Sequence, residues 1–138
     1  MLNLTLKQIA EFSNGQLNDE KYSDMVIDVI SIDTRTIDKG EMYMPIIGEK
    51  LDGHIFIEQA FEKGVGAAFS EKGKIDDNFD KPIVFVDNSN KAFTELAKNY
   101  RNSLKNIKIV GITGSNGKTS TKDLISTTLQ KSYKIAKT

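Results

Sequence analysis

The segment from Ile109 to Thr121 constrains the fold more than any other part of the chain. It begins with an apolar, mostly β-branched run, passes through a turn that contains Gly114 and Gly117, and ends in a lysine followed by hydroxyl side chains. This order predicts a buried strand, a tight loop and the first turn of a helix. Glycine lets the backbone fold back, so that successive N–H groups point to one side and can bind an anion. The segment therefore predicts an α/β unit with an anion site between a strand and a helix.

The side chains of this loop predict that the anion is a nucleoside triphosphate. Lys118 supplies a positive charge for the β- and γ-phosphates, and the Thr119 hydroxyl is placed to bind Mg²⁺. The general pattern, G-x-x-x-x-G-K-[ST], requires glycine at the position of Ile112, so the match is partial. We predict Lys118 as the catalytic cation and Thr119 as the metal ligand of an ATP site formed by Gly114, Ser115, Asn116, Gly117, Lys118, Thr119 and Ser120.

Composition argues against several classes of protein. The 19 Lys and Arg residues are balanced by 19 Asp and Glu residues, whereas a nucleic-acid-binding protein normally has a basic excess. The absence of cysteine excludes a disulfide framework, and a single histidine excludes a His-rich metal site. No apolar run approaches the roughly 20 residues of a membrane span, and no basic-then-apolar leader opens the chain. We expect a cytoplasmic protein, monomeric at full length, without nucleic acid or a membrane span.

The first part of the chain predicts a small mixed α/β domain. Thr5 and Gln8 have the spacing of a capping box at the start of a helix. Apolar, β-branched segments predict strands, and Ile55, Ile57, Ala60 and Phe61 predict a short helix. The predicted strands cover residues 26–33, 41–46 and 67–69. Because the polar stretch from Glu71 to Asp80 has no periodicity, we predict a first domain over residues 1–81.

The second part alternates strictly between strand and helix. Ile83–Val86 is an apolar strand, and Asn88 or Ser89 caps a helix with apolar residues from Ala92 to Leu104. A strand over 107–112, the glycine loop, a helix to Leu129 and a strand over 133–136 follow. This order predicts the first part of a doubly wound P-loop domain over residues 82–138. Three strands and two helices cannot cover both faces of a parallel sheet, so we expect this domain to be incomplete and to expose apolar side chains.

Three motifs together resemble the Mur ligases, the amide-forming enzymes of peptidoglycan precursor synthesis. Gly111–Thr119 resembles the ATP loop of that family, in which the first glycine also lies one position before that of the general pattern. Ser31–Arg35, followed by Lys39–Tyr43, resembles the family signature D-S-R…P-G-D-L-F. Ile47–Ile57 resembles G-x-x-x-D-G-H-x-F-I. The resemblance covers essentially the whole chain.

The resemblance implies a role for residues that would otherwise have simpler explanations. From the residues alone, Asp33 and Arg35 could form a local pair, Asp52 could cap a helix, and His54 could bond to the backbone. The resemblance implies instead that residues 1–81 bind a UDP-N-acetylmuramoyl-peptide. The implied contacts with this UDP-sugar are Asp33, Thr34, Arg35, Gly48, Asp52 and His54, and arginine suits a diphosphate because its planar fork matches paired oxygens.

Within the family, Ser115 and the pair Lys122–Asp123 are most similar to the MurF group. This resemblance implies ATP-dependent addition of D-alanyl-D-alanine to UDP-N-acetylmuramoyl-tripeptide through an acyl phosphate, with ATP and Mg²⁺ as cofactors. Thr34 in place of serine keeps the hydroxyl, and Lys39 in place of proline affects the turn more than the chemistry. We expect the 138 residues alone to be inactive. The alternatives are a MurE-type ligase that adds the third amino acid, a non-catalytic nucleotide-binding or UDP-sugar-binding module, and an unrelated P-loop kinase.

Overall fold

The computed structural model describes residues 2–76 and 78–137 and divides the chain into two compact units, Met1–Leu104 and Lys105–Thr138. In the first unit, the strands are β1 (Leu4–Thr5), β2 (Gln16–Leu17), β3 (Val26–Ile27), β4 (Ile30–Ser31), β5 (Met42–Tyr43), β6 (Ala67–Glu71) and β7 (Ile83–Val86). The helices of this unit are α1 (Leu6–Ser13), α2 (Ile57–Glu62) and α3 (Ser89–Ser103), with short 3₁₀ turns at Glu20–Tyr22 and Gly53–Phe56.

A five-stranded sheet in the order β2-β7-β6-β5-β4 forms the centre of the first unit. The four strands β4 to β7 run parallel, and β2 joins β7 antiparallel. A separate pair, β1 and β3, is antiparallel. The strand predicted over residues 26–33 is therefore two strands, because the chain passes from one sheet to the other between Ile27 and Ile30. The predicted mixed α/β class with a parallel sheet is confirmed.

Helices cover both faces of this sheet. Along β6, Phe69 points into a core with α1 and α3, whereas Ala68 points into a second core with α2. This alternation is the two-residue period of a strand between two apolar layers. The first core includes Leu6, Ile9, Met42, Met44, Val84 and Leu96, and the second includes Ile37, Tyr43, Ile57, Ala60 and Ile83.

The start of α1 is fixed by the predicted capping box. The Gln8 backbone N–H donates to Thr5 Oγ1 at 3.2 Å, and the Thr5 N–H donates to Gln8 Oε1 at 3.0 Å. These bonds satisfy two donors that have no acceptor within the helix. At the other end, Asn14 adopts a left-handed conformation and its N–H bonds to the last turn of the helix. Local sequence therefore determines both ends of α1.

The division between the units follows Leu104 rather than residue 81, where the sequence predicted it. Ile83–Val86 is a central strand of the first sheet, with β6 on one side and β2 on the other. The helix α3 packs against α1 and adds Ala92 and Leu96 to the first core. The pattern of this strand and helix was predicted correctly, but they complete the first unit instead of opening the second.

In the described part of the second unit, the one helix is α4 (Lys118–Leu129), as the sequence predicted. The strands predicted over 107–112 and 133–136 are not formed in the described part of the chain. A strand requires a neighbour that accepts and donates its backbone hydrogen bonds, and neither segment has one there. The expected exposure of apolar side chains is observed for Ile107, Ile109, Val110, Leu124 and Tyr133.

Candidate functional site

The predicted substrate residues of the first unit follow the parallel strands at their carboxyl ends. Asp33 to Arg35 come after β4, and the segment from Ile46 to His54 comes after β5. Glu71 is the last residue of β6, and Ser89 begins the helix after β7. Parallel strands place these ends at one edge of the sheet, which is the edge where ligands of open α/β sheets bind. The topology therefore brings separate sequence motifs to one side of the unit.

Asp33 and Arg35 form an exposed, bidentate ion pair. Arg35 Nη2 lies 2.6 Å from Asp33 Oδ2, and Arg35 Nε lies 2.9 Å from Asp33 Oδ1. The Arg35 backbone N–H also donates to Asp33 Oδ1 at 2.9 Å. The guanidinium, helped by this N–H, lowers the pKa of the Asp33 carboxyl from 3.8 to about 2. Because the Arg35 side chain is 87% exposed, its remaining N–H donors can reach a ligand.

Replacing Arg35 with glutamine is expected to raise the pKa of Asp33 from about 2 towards 3.8, although the backbone N–H of residue 35 keeps part of the shift. Since the pKa of Asp33 is depressed in the folded chain, the ion pair makes its full contribution to folding stability above about pH 4. This contribution is lost as the pH falls through 2. The ¹³C shift of the Asp33 carboxyl, followed against pH, measures this midpoint. Arg101→Gln is the matched control, and an equal change in both variants would contradict the pairing.

Thr34 faces the interior rather than the exposed edge. It is buried, its hydroxyl lies 3.4 Å from Gln59 Oε1, and its carbonyl accepts from Lys63 Nζ at 2.5 Å. Both partners lie on α2 or directly after it, so these bonds hold the segment after β4 against that helix. The structure thus gives Thr34 a supporting position beside the Asp33–Arg35 pair.

Gly48 and Asp52 lie on a short hairpin that follows β5. The Gly48 N–H donates to Leu51 O at 2.9 Å, and the Gly53 N–H donates to Ile46 O at 3.1 Å. A Cβ at Gly53 would lie 2.9 Å from Ile46 N and O, whereas a Cβ at Gly48 would meet only Leu51 O at 3.6 Å. Gly53 therefore permits close approach of the two arms, and Gly48 lies in the turn.

Asp52 is held in place by Lys74 and by both the backbone N–H and the ring of His54. Lys74 Nζ lies 2.7 Å from Oδ2, and the His54 backbone N–H donates to Oδ1 at 3.0 Å. The hydrogen bond from Lys74 and, to a smaller extent, the one from this N–H hold the pKa of Asp52 well below its usual range. Burial raises the pKa of the Tyr43 phenol, and the carboxylates of Asp33 and Asp52 act in the same direction. Both predicted acidic residues thus act on one buried tyrosine, whose hydroxyl donates to Gly53 O at 3.0 Å.

His54 is 5% exposed, and both of its ring nitrogens are engaged within the fold. Its Nε2 accepts from the Glu71 backbone N–H at 3.0 Å, so we assign the proton to Nδ1, which lies 2.5 Å from Asp52 Oδ1. Ser89 Oγ lies 3.3 Å from Nε2. Of the two explanations that the sequence left open for His54, this geometry favours the structural one, in which the ring joins the hairpin to β6 and α3.

Sequence reasoning did not single out Glu71, Lys74, Ser89 or Asn90 as parts of this region. The Glu71 carboxylate accepts from the Ser89 N–H at 2.8 Å, which places a negative charge at the start of α3. The sequence did show an acidic residue, Glu71, after a predicted strand and a predicted helix cap at Asn88 or Ser89, but nothing linked the two. The long sequence separation between the partners explains why this bond could not be read locally.

In the second unit, the two loop glycines that the sequence singled out both have positive φ angles. Gly114 has φ 147° and Gly117 has φ 74°, values that favour glycine over other residues. Gly117 precedes α4 directly, and the first bond within that helix runs from the Thr121 N–H to Gly117 O. The N–H groups of the first helical turn have no acceptor within the helix, which leaves them available to an anion.

Lys118 and Thr119 both lie in the exposed first turn of α4. Lys118 Nζ folds back over the loop and donates to Gly114 O at 2.6 Å. Within residues 2–76 and 78–137, no group of three or more His, Cys, Asp or Glu side chains could hold a metal ion. A Thr119 hydroxyl beside phosphate oxygens still fits Mg²⁺, because that ion retains waters and uses few protein ligands.

Comparison with known proteins identifies the family. The model of the Mur ligase family, catalytic domain, matches residues 26–101. The UDP-N-acetylmuramoyl-tripeptide–D-alanyl-D-alanine ligase of Bacillus subtilis is 38% identical over 138 residues, which are 100% of this chain and 30% of the relative. The UDP-N-acetylmuramoyl-L-alanyl-D-glutamate–2,6-diaminopimelate ligase of Clostridium tetani is 40% identical over 107 residues, covering 75% of the chain and 22% of the relative.

Solved structures agree with this assignment. MurF from Acinetobacter baumannii has a TM-score of 0.81 at 24% identity, covering 94% of this chain and 28% of that protein, and it supports the fold alone. MurF from Thermotoga maritima, solved in complex with ADP, has a TM-score of 0.61 at 30% identity over 75% of this chain and 23% of that one. The chain thus spans less than a third of these proteins, and no helix in its described part is long and apolar enough to cross a membrane. Since the family model matches more than half of the chain, the chain belongs to the Mur ligase family.

Proposed function

We propose that the full-length protein is an ATP-dependent amide ligase that joins D-alanyl-D-alanine to UDP-N-acetylmuramoyl-tripeptide. The observation that carries this proposal is the exposed glycine loop at the start of α4, with Lys118 directly after a left-handed Gly117. The whole-length similarity to the Bacillus subtilis ligase supports the choice of reaction. The Thermotoga maritima neighbour, solved with ADP, supports the choice of nucleotide.

Different residues of the loop contact different parts of ATP in this proposal. The N–H groups from Ser115 to Ser120 surround the phosphates, and the start of α4 adds its partial positive charge. Lys118 Nζ now donates to Gly114 O, and a triphosphate would offer it a charged acceptor in place of that carbonyl. Thr119 would contribute one oxygen to Mg²⁺, which neutralises charge on the phosphates when it is bound.

The chemistry requires cations because a carboxylate is a poor electrophile. The terminal carboxylate oxygen of the tripeptide attacks the γ-phosphorus of ATP, forming an acyl phosphate and releasing ADP. The amine of D-alanyl-D-alanine then attacks the acyl carbon, loses a proton and expels phosphate, which leaves an amide. Negative charge builds up on the transferred phosphoryl group in the first step, and we assign its stabilisation to Lys118.

The first unit supplies the candidate site for the UDP-sugar. The Arg35 guanidinium is fixed by Asp33 yet exposed, so it can bind diphosphate oxygens through its other donors. Gly48 and Asp52 lie on the hairpin at the same edge of the sheet, and Thr34 and His54 hold the two segments from the inside. We assign this role to residues 1–104, because the sheet is complete only with β7.

These assignments place the protein in cell-wall biogenesis. ATP and UDP-linked precursors are cytoplasmic metabolites, so we place the reaction in the cytoplasm, with a monomer as the expected state. Because a growing wall must be extended before a cell divides, the activity also links the protein to cell shape, cell cycle and cell division.

A MurE-type ligase, which adds the third amino acid to the peptide, is the second candidate. The observation in its favour is the Clostridium tetani relative, whose identity over the matched region is similar to that of the MurF relatives. Over nearly the whole chain, the Bacillus subtilis ligase is 38% identical, whereas the 2,6-diaminopimelate ligase of Clostridium botulinum is 35% identical over 97% of it. The MurF reaction therefore remains the first choice.

The proposal is tested by measuring ADP release from the full-length protein with each pair of substrates. We expect release only when UDP-N-acetylmuramoyl-tripeptide and D-alanyl-D-alanine are both present with ATP and Mg²⁺. Release with UDP-N-acetylmuramoyl-dipeptide and a free diamino acid would support the MurE-type reaction instead. ATP hydrolysis that ignores both acceptors, or none with any pair, would contradict ligase activity and favour a binding module.

A further inference from the structure

Asn90, in the first turn of α3, forms two hydrogen bonds with the backbone of one residue in the hairpin. The Ile47 N–H donates to Asn90 Oδ1 at 3.2 Å, and Asn90 Nδ2 donates to Ile47 O at 3.0 Å. A primary amide has one acceptor and one donor group side by side, which matches the spacing of a backbone N–H and C=O. The side chain of Asn90 therefore pairs with Ile47 as a neighbouring strand would.

The geometry of the hairpin explains why Ile47 is available for this pairing. Ile47 and Asp52 face each other as an antiparallel bridge, but the bonds of that bridge are made by their neighbours. These bonds run from the Gly48 N–H to Leu51 O and from the Gly53 N–H to Ile46 O. In such a non-hydrogen-bonded pair, the N–H and C=O of Ile47 point away from Asp52. Asn90 satisfies both groups.

The first turn of α3 also reaches the other arm of the hairpin. Ser89 Oγ lies 3.3 Å from His54 Nε2, and His54 Nδ1 lies 2.5 Å from Asp52 Oδ1. The first turn of α3 thus contacts both arms of the hairpin. Asn90 bonds to Ile47 in the arm before Gly48, and Ser89 contacts His54 in the arm after Asp52. The turn between the arms is exposed and has no buried side chain of its own.

We propose that Asn90 is a positioning residue that holds Gly48 and its turn in the orientation needed to bind the UDP-sugar. This inference rests on the proposed function, which assigns Gly48 and Asp52 to that substrate. The two bonds are solvent-exposed, so each contributes little to folding, yet together they fix the direction of the arm. A binding group that is free to move loses affinity, because binding must then order it.

The test compares Asn90→Ala with Asn99→Ala in the full-length protein. Asn99 is the same residue type on the same helix and also bonds to a backbone carbonyl, with Nδ2 donating to Phe12 O at 2.8 Å. It contacts α1 and not the hairpin, so it controls for loss of one helix-anchoring amide. Calorimetry measures the Kd of UDP-N-acetylmuramoyl-tripeptide without ATP, and steady-state kinetics measure KM and kcat for both substrates.

We expect Asn90→Ala to raise the Kd and KM for the UDP-sugar about tenfold, which corresponds to about 1.4 kcal/mol. The KM for ATP and kcat stay unchanged, because the variant weakens binding of the UDP-sugar equally in the ground state and in the transition state. Asn99→Ala lowers the melting temperature without changing either KM. Equal Kd values for wild type and Asn90→Ala, or an equal loss of affinity in Asn99→Ala, would overturn the inference. Wild-type protein that binds the UDP-sugar but releases no ADP would instead contradict the proposed function, and the Kd comparison would still test Asn90.

Discussion

Replacing Lys118 with alanine in the full-length protein is expected to lower the rate of ADP release by about 10²- to 10³-fold, the scale for removing one group that stabilises transition-state charge. The Lys118 ammonium is the cation that this loop holds directly after Gly117, and it donates to the carbonyl of Gly114. The loss follows because positioning and electrostatic stabilisation account for most of the catalysis of phosphoryl transfer.

Lys131→Ala is the matched control for this change. Lys131 lies just beyond the end of α4, is exposed, and is far along the helix from the glycine loop. Substrate-dependent ADP release should be unchanged in this variant. Equal ATP affinity and equal turnover in wild type and Lys118→Ala would remove Lys118 from the nucleotide site and leave the ligase assignment without its main support.

His54→Ala is expected to lower the free energy of unfolding of the chain by about 3 kcal/mol, by leaving a cavity and an unpaired backbone donor. The ring is buried and accepts the Glu71 N–H, so its removal leaves that group without its acceptor at the end of β6. The loss also separates Asp52 from the start of α3. Urea unfolding followed by far-ultraviolet circular dichroism measures the change.

Lys72→Ala controls for loss of a side chain near the same strand end. Lys72 Nζ lies 3.5 Å from Asp87 Oδ1, and both side chains are largely exposed. We expect a change of about 0.5 kcal/mol or less, as for other surface pairs. If His54→Ala were as stable as Lys72→Ala, the structural role of the ring would be wrong, and direct contact with substrate would become the better explanation of its place in the motif.

Much of the first unit could be predicted where a short segment carries its own signal. Thr5 and Gln8 satisfy each other three residues apart, so the start of α1 follows from local sequence. The run Ile83–Val86 is apolar on both faces, and it is a strand with helices on both sides. The sequence placed a domain boundary near residue 81, whereas the compact units divide after Leu104, because β7 joins β2 through pairs such as Gln16 with Phe85, which no local pattern reveals.

The candidate site shows the same limit. The glycine loop could be located from the sequence, because Gly114, Gly117 and Lys118 belong to one local motif, and both glycines have positive φ angles. The motif around Asp52 was found, but the role of His54 was left open. That role depends on Glu71 and Ser89, which lie 17 and 35 residues away in the chain. A binding loop made of neighbouring residues could be found from the sequence, whereas hydrogen bonds between residues at the ends of several strands could not.

The antiparallel contact between β2 and β7 has a consequence for synthesis on the ribosome. The strand β2 has no partner until β7, which contains residue 85, has been synthesised. Until then β6 also lacks one of its two neighbouring strands. Contacts so distant in sequence form late and slowly, because a long loop must close first. A nascent chain shorter than this therefore presents an open sheet edge, and we expect chaperones to engage it until the seventh strand has emerged.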